Sequence, residues 1–228
     1  MKDPAVWDQL LQRYVDGDGR VDYAGWQSRD VATLRAWLAA QTAHTEGRQE
    51  QLAHWINLYN AFTVQAVLEA YPIASIRPSL LGLPNWVGFL RFFQRPLHRL
   101  QDGCFSLAQI ENQLLRQLGD PRIHFAIVCA SVGCPLLRQR AYRTDAVEQQ
   151  LEADLHRFIH NPAKVRFERE RNILWVSRIF QWYRADFLAV SASLPGYILP
   201  RLGDGIPPGP EPQVRFLPYD WSLNQQRG

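Results

Sequence analysis

Cys134 stands near the end of HFAIVCASVGCP, the stretch from His124 to Pro135 in which an apolar run leads into a glycine turn. We expect the apolar run to be a strand and Pro135 to begin a helix with Cys134 at its N-cap. A thiol in that position lies beside free N–H groups and the positive end of the helix dipole, both of which stabilise a thiolate. The same N–H groups can hold an oxyanion. The stretch therefore indicates a cysteine nucleophile.

His124 is the tentative base for this nucleophile, although an extended strand would place Cys129 about 16 Å from it at about 3.3 Å per residue. His54 and His98 are alternative partners that the chain can bring close by tertiary folding. Glu111, in the segment before the apolar run, is a candidate orienting group. A buried cysteine more often acts as a small apolar side chain, so a structural role for Cys134 stays open.

Asn57 and Asn60 lie three residues apart in WINLYN and share one face of a predicted helix. Buried amides must find hydrogen-bond partners or cost about 1–3 kcal/mol each. They are candidates for orienting a catalytic group or binding a substrate, and equally for tying a neighbouring loop to the core.

The spacing of His124, Cys129 and Cys134 matches no common zinc site, and on a strand His124 and Cys129 would face opposite sides. A disulfide between Cys129 and Cys134 is a further possibility that a reducing cytoplasm disfavours. The segment YVDGDGRVDY lacks the first and last ligands of a calcium loop, so we interpret it as a turn entering a short strand. We predict neither a metal nor a cofactor.

The net charge of +3 is small, and the basic residues, nearly all arginine, are scattered along the chain. Nucleic-acid binding usually needs a dense basic patch, so we expect no nucleic-acid partner. The chain shows no signal-peptide pattern and no apolar run that could span a bilayer. We expect a soluble cytoplasmic protein, or an exported one if a leader was removed. The oligomeric state is left open.

Helical and strand periods are mixed without a regular βαβ rhythm, which favours an α+β fold: a single domain with a buried central helix and a small mixed or antiparallel sheet flanked by helices. We predict the central helix over 50–71, ending before Pro72, and a helix from Ser106 with a capping box to Gln109. We also expect hairpins near 90–105 and 164–177, a proline-rich internal loop at 203–212 and a final strand. The other predicted helices cover 3–15, 30–41, 144–162 and 178–190, the last capped by Ser177.

Several segments resemble a family catalogued as a domain of unknown function, number five-four-seven. They are GRVDYAGW, WINLYNA, SLAQIENQLLR, DPRIHFAIVCASVGCPLL, ILWVSRIFQWYRADF and YDWSLN, which follow one another over nearly the whole chain. The resemblance implies one domain over 1–228. Members stand alone in bacteria, where many look exported, and are fused in plants and nematodes to glutaredoxin-like or DEP modules. That association suggests thiol chemistry or signalling.

Two hypotheses follow. The first is a thiol-dependent hydrolase or acyl transferase acting on a small-molecule or peptide substrate, with Cys134 as nucleophile, His124 as base and Asn57 or Glu111 as orienting group. The second is a non-catalytic binding or signalling module with a structural Cys134 turn. Its ligand would enter beneath PSLLGLPNWVGFLRFF, residues 78–93, whose apolar side chains would form a lid or partner patch.

Overall fold

The computed structural model describes residues 4–77, 79–80, 83–84, 98–203 and 209–226. In chain order the helices are α1 (Ala5–Tyr14), α2 (Tyr23–Arg29), α3 (Val31–Ala39), α4 (Arg48–Ala70), α5 (Leu107–Gln109), α6 (Val147–Ile159), α7 (Ile179–Trp182), α8 (Arg184–Leu188) and α9 (Leu194–Ile198). The strands are β1 (Ser79–Leu80), β2 (Leu83–Pro84), β3 (His98–Leu100), β4 (Gly103–Phe105), β5 (Val165–Glu168), β6 (Ile173–Val176) and β7 (Gln213–Phe216). The predicted α+β class is confirmed.

The predicted central helix is α4, which is buried from Leu52 to Val64 without interruption. It ends at Ala70 because Tyr71, before Pro72, takes the extended backbone that a following proline favours. Helices α2, α3 and α6 pack against it. The first of two hydrophobic cores surrounds this helix, with Trp7, Trp26 and the other large side chains of α1–α3.

The second core lies under a three-stranded mixed sheet. Strand β5 pairs antiparallel with β6, from Val165 opposite Val176 to Glu168 opposite Ile173. Strand β7 then pairs parallel with β6. Aromatic side chains from α6 to α9 fill the space beneath, together with Phe125, whose ring centroid lies 4.9 Å from that of Phe158. The segment that carries Cys129 and Cys134 therefore begins where the two cores meet.

The predicted strand over 122–130 is wrong. Pro121–Phe125 form a 3-10 helix that the Asp120 side chain caps at the Arg122 N–H, and residues 126–130 are irregular. Asn60 on α4 takes the main-chain groups that a neighbouring strand would otherwise have paired, since it binds both the Ala126 C=O and the Val128 N–H. The apolar run is buried, as expected, but between helices.

The predicted helix after Cys134 is also wrong, because residues 135–143 contain no helix. Their main-chain groups are bound from outside the segment. Arg157 donates to the Leu136 C=O at 3.1 Å, and Asn57 binds the N–H and C=O of Tyr142. The helix dipole and the free N–H groups invoked for Cys134 are therefore missing.

Most other elements agree with the sequence. The capping box of Ser106 and Gln109 is present, although α5 continues into a π-helical turn at Ile110–Leu115 and a 3-10 turn at Arg116–Leu118. Hairpins β3–β4 and β5–β6 form as predicted. Ser177 accepts the Ile179 N–H at the start of α7, but the predicted helix is split into α7 and α8. Helices α2 and α9 were missed.

Candidate functional site

Cys129 and Cys134 form a disulfide, with their Cα atoms 6.2 Å apart. The expectation that they stay unpaired is therefore wrong for this structure, whereas Cys104 is free and exposed. The two sulfur-bearing residues differ in access, because Cys129 is half-buried and Cys134 is only 5% exposed. A nucleophilic role for Cys134 stays a prediction, and it now requires reduction of this bond.

Tyr219 brings a hydroxyl group against both sulfur atoms. Its oxygen lies 3.3 Å from the Sγ atoms of Cys129 and Cys134 and 3.2 Å from the Ser131 Oγ. The Cys129 N–H points at the Cys134 Sγ, at 2.9 Å. Burial raises the pKa of the Tyr219 phenol above its ordinary value. The phenol therefore keeps its proton and can donate a hydrogen bond to sulfur.

Backbone geometry around the disulfide is tight. Ala130 has a φ of 63°, a left-handed conformation that a non-glycine residue adopts at a cost. At Gly133, a Cβ atom would lie 2.7 Å from Tyr219 Cε1 and 2.8 Å from the Asp220 carbonyl oxygen. The C-terminal segment can reach the sulfur atoms because this position has no side chain.

The two amides predicted to bind substrate hold main chain instead. Asn60 fixes Ala126 and Val128, just before Cys129, and Asn57 fixes Tyr142. Both asparagines are at most 2% exposed. This geometry matches the alternative role of tying a loop to the core, and it makes Asn60 a positioning residue for the disulfide segment.

Glu111 lies in a cluster of tyrosines beside the disulfide. Its Oε2 accepts the Tyr59 hydroxyl at 3.2 Å, and the carboxylate also interacts with the Tyr183 hydroxyl. Burial, and then the charge of Glu111, raise the pKa of both phenols well above the ordinary value. Both tyrosines also interact electrostatically with Tyr219. Glu111 is thus linked to the sulfur atoms through a phenol layer.

His124 points away from this role as a base. Its Nε2 lies 2.8 Å from Asp186 Oδ2, and its ring stacks on Tyr183 with centroids 3.8 Å apart. Arg116 holds the same carboxylate through two hydrogen bonds of 2.7 Å. These bonds, first that of His124 and then that of Arg116, hold the pKa of Asp186 well below its ordinary range. No described contact joins His124 to Cys134.

The structure thus brings Glu111 and His124 together through Tyr183, and Cys134 to Cys129 through their bond. The sequence reasoning missed Tyr59, Tyr183 and Tyr219. The motifs WINLYN, QWYRADF and YDWSLN contain them, but only tertiary folding places these distant motifs around one glycine turn. The proposed lid over 78–93 falls largely outside the described residues, and nothing is concluded about it.

Two further findings concern the described part of the chain. It contains no group of three or more His, Cys, Asp or Glu side chains placed to hold a metal ion. None of its helices combines the length and apolar character that a membrane span requires.

Comparison with known proteins gives one match. The model of the family described as "Protein of unknown function, DUF547" matches residues 43–159, just over half of the chain. That range includes α4, Glu111, His124 and both cysteines of the disulfide. No curated protein and no solved structure matches. The chain belongs to the DUF547 family.

Proposed function

We propose that this protein is a thiol–disulfide enzyme whose reactive centre is the Cys129–Cys134 pair. The supporting observation is the Tyr219 hydroxyl, which lies 3.3 Å from each sulfur atom in a site where Cys129 is half-buried. Pairs of this kind work through one accessible and one shielded sulfur, because attack and release then occur at defined atoms. The substrate is a small molecule or peptide that carries thiols.

The exchange takes place in two steps. A substrate thiolate attacks the Cys129 Sγ, the bond between Cys129 and Cys134 breaks, and Cys134 leaves as a thiolate that takes up a proton. A second thiolate of the substrate then attacks its own sulfur in the mixed disulfide and releases Cys129. The substrate is oxidised by two electrons and the protein pair is reduced. A disulfide substrate returns the pair to its oxidised form by the reverse steps.

Three groups support the leaving sulfur. The Cys129 N–H and the Tyr219 hydroxyl both lie within hydrogen-bonding distance of the Cys134 Sγ. Hydrogen bonds to a charged group contribute about 1.5–3 kcal/mol, so each can favour a thiolate substantially. Ser131 orients the tyrosine through a contact of 3.2 Å between the two hydroxyl oxygens.

The proposal is tested by following reduction of the protein by glutathione and trapping the mixed disulfide. The variant Cys134→Ser should accumulate one glutathione on Cys129, identified by mass spectrometry of the digest, whereas Cys129→Ser should accumulate less on Cys134 because that sulfur is shielded. Tyr219→Phe should slow reduction about 10-fold, since it removes one hydrogen bond to the leaving sulfur.

Cys104→Ser is the matched control, because Cys104 is exposed and unpaired. It should leave the reduction rate unchanged. The proposal fails if the reduction rate is unaffected by Tyr219→Phe, or if Cys129 and Cys134 trap glutathione equally. A disulfide that resists glutathione in the folded protein would favour the binding-module alternative with a structural turn.

Hydrolysis or acyl transfer by Cys134 stays a second candidate, favoured by one observation: Glu111 provides a carboxylate linked to Tyr219 through the phenol layer. In this scheme reduction frees the thiol, which attacks an acyl carbon, and a water or acceptor later releases the acyl group. The fully reduced protein should then acquire an acetyl group from p-nitrophenyl acetate on Cys134, and Glu111→Gln should slow that step. Acetylation at the rate of a free thiol peptide would exclude this candidate.

A further inference from the structure

A cavity of about 360 Å³ lies beside the disulfide segment, on the far side of the Tyr219 ring from the phenol layer's Glu111. Its walls are the turn at 18–20, the segment 131–136, the C-terminal segment 217–220, and Lys164 with its neighbours. Volumes of a few hundred Å³ are typical of sites for small molecules. Ser131 and Tyr219, which contact the sulfur atoms, also line it.

Lys164 is a buried cation in the wall of this cavity. The residue is 8% exposed, and its Nζ donates to the Val132 carbonyl oxygen at 2.7 Å. Its other described contact is with the Phe158 ring, at 5.9 Å. An ammonium group has three N–H donors, and burying them without acceptors is costly. The described contacts satisfy one of the three with an oxygen atom.

Arg20 supplies a second positive group. Its main chain is fixed by the turn, because the Asp16 side chain accepts the Arg20 N–H at 2.8 Å and the Arg20 carbonyl accepts the Asp16 N–H at 3.0 Å. Within the described part of the chain, its guanidinium makes no ion pair. Two cations with donors to spare thus face one cavity.

Two carboxylates at the same cavity limit the charge that a ligand can carry. The Asp220 side chain accepts two hydrogen bonds from Ser222, and Asp18 is exposed at the rim. Both repel anions, and a dianionic phosphate is repelled more than a monoanion. The balance of two cations against two carboxylates therefore favours a singly charged ligand.

We propose that this cavity binds the carboxylate of a small molecule or of a peptide C-terminus, held by Lys164 and Arg20. A carboxylate accepts several hydrogen bonds at once, which suits an ammonium and a guanidinium. The Ser177 hydroxyl, also in the lining, is available for a further contact. This site goes beyond thiol exchange and does not depend on it: a protein with both cysteines replaced by serine binds the ligand equally well.

Isothermal titration with N-acetylglycine tests the site, with N-acetylglycinamide and inorganic phosphate as comparison ligands. N-acetylglycine should bind at least about 10-fold more tightly than either, because charge-assisted hydrogen bonds are the strong ones. A pentapeptide with a free C-terminus, compared with its amidated form, distinguishes a peptide from a free acid as the source of the carboxylate.

Two variants locate the binding. Lys164→Met keeps the length of the side chain and removes its charge, and should weaken N-acetylglycine at least about 10-fold, while Lys164→Arg should retain most of the affinity. Arg20→Gln lies on a surface turn and should weaken binding about 3- to 10-fold without affecting folding. Arg35→Gln is its control, since Arg35 is exposed and pairs with Glu69.

Proton uptake gives an independent readout. Burial lowers the pKa of Lys164 to about 8, and a bound carboxylate raises it again. The charged groups that share its surroundings are Asp18, Arg20 and Asp220 around the cavity and the paired Asp154 and Arg157 of α6. Binding at pH 8 should therefore take up protons in the wild type and not in Lys164→Arg, as measured in buffers of different ionisation enthalpy.

The proposal is overturned if N-acetylglycine and its amide bind equally, if Lys164→Met and Arg20→Gln both bind like the wild type, or if proton uptake is the same in Lys164→Arg. Loss of binding in the double cysteine variant alone would instead separate this site from the thiol chemistry, since it would show that binding needs the disulfide and would contradict the independence argued above.

Discussion

At the scale of single residues, the glycine in the cysteine turn decides whether Tyr219 can reach the sulfur atoms. Gly133 donates its N–H to the Asp220 carbonyl at 2.7 Å and leaves no room for a Cβ. The rings of Trp182 and Trp221 lie 4.8 and 4.6 Å from the Tyr219 ring and pack around it. The position of one hydroxyl therefore depends on a missing methyl group two segments away.

Gly133→Ala should displace Tyr219 and slow reduction of the disulfide about as much as Tyr219→Phe does. Overpacking of this kind costs about 1–3 kcal/mol, so the variant should fold but be less stable. Reduction by glutathione and tryptophan fluorescence, which reports Trp182 and Trp221, measure the two effects. Gly17→Ala is the matched control, because a Cβ at Gly17 meets no atom within 4 Å. Equal effects of the two substitutions would show that the close approach has no functional consequence.

At the scale of elements, α4 does the work that a neighbouring strand would do elsewhere. Its amides pair with loop main chain at Ala126, Val128 and Tyr142, which allows the apolar run to be buried without a sheet. This pairing leaves the run free to turn sharply after Cys129. A disulfide across five residues is the result.

Asn60→Ala should destabilise the protein by about 2–4 kcal/mol, because it leaves a buried C=O and a buried N–H without their partner. It should also change the reduction rate of the disulfide, since Asn60 fixes the residues just before Cys129. Urea denaturation and the glutathione assay measure these effects. Gln65→Ala on the same helix removes only a surface contact with Glu69 and should cost less than about 0.5 kcal/mol. Similar costs for both would mean that the loop satisfies its own main-chain groups.

Sequence periodicity predicted the elements that local interactions determine. The apolar face of α6, the capping box at Ser106 and the end of α4 before Pro72 all depend on neighbours in the chain, and all are correct. The run at 122–130 was assigned wrongly because an apolar stretch is compatible with any buried backbone, and the partner that decided its conformation, Asn60, lies more than sixty residues away. Likewise, the pairing of Cys129 with Cys134 follows from a turn that the sequence alone did not reveal.

At the scale of the whole molecule, the two cores bury ionisable groups and so couple stability to pH. His54 is 1% exposed and His98 is 6% exposed. Burial lowers the pKa of each to about 4. Both side chains are therefore neutral in the folded protein at pH values where they would be protonated in the unfolded chain.

Because the unfolded chain binds more protons between about pH 6.5 and pH 4, the free energy of unfolding should fall as the pH decreases through this range. At pH 5 each histidine should contribute a loss of roughly 1–2 kcal/mol relative to pH 7.5. Urea denaturation at the two pH values should show this loss, and His98→Gln or His54→Gln should each reduce the difference between them. His44, which is exposed, serves as the control, since His44→Gln should leave the difference unchanged. A difference that survives both core substitutions would place the acid sensitivity in the carboxylates, foremost Asp186, whose pKa is lowered by His124 and Arg116.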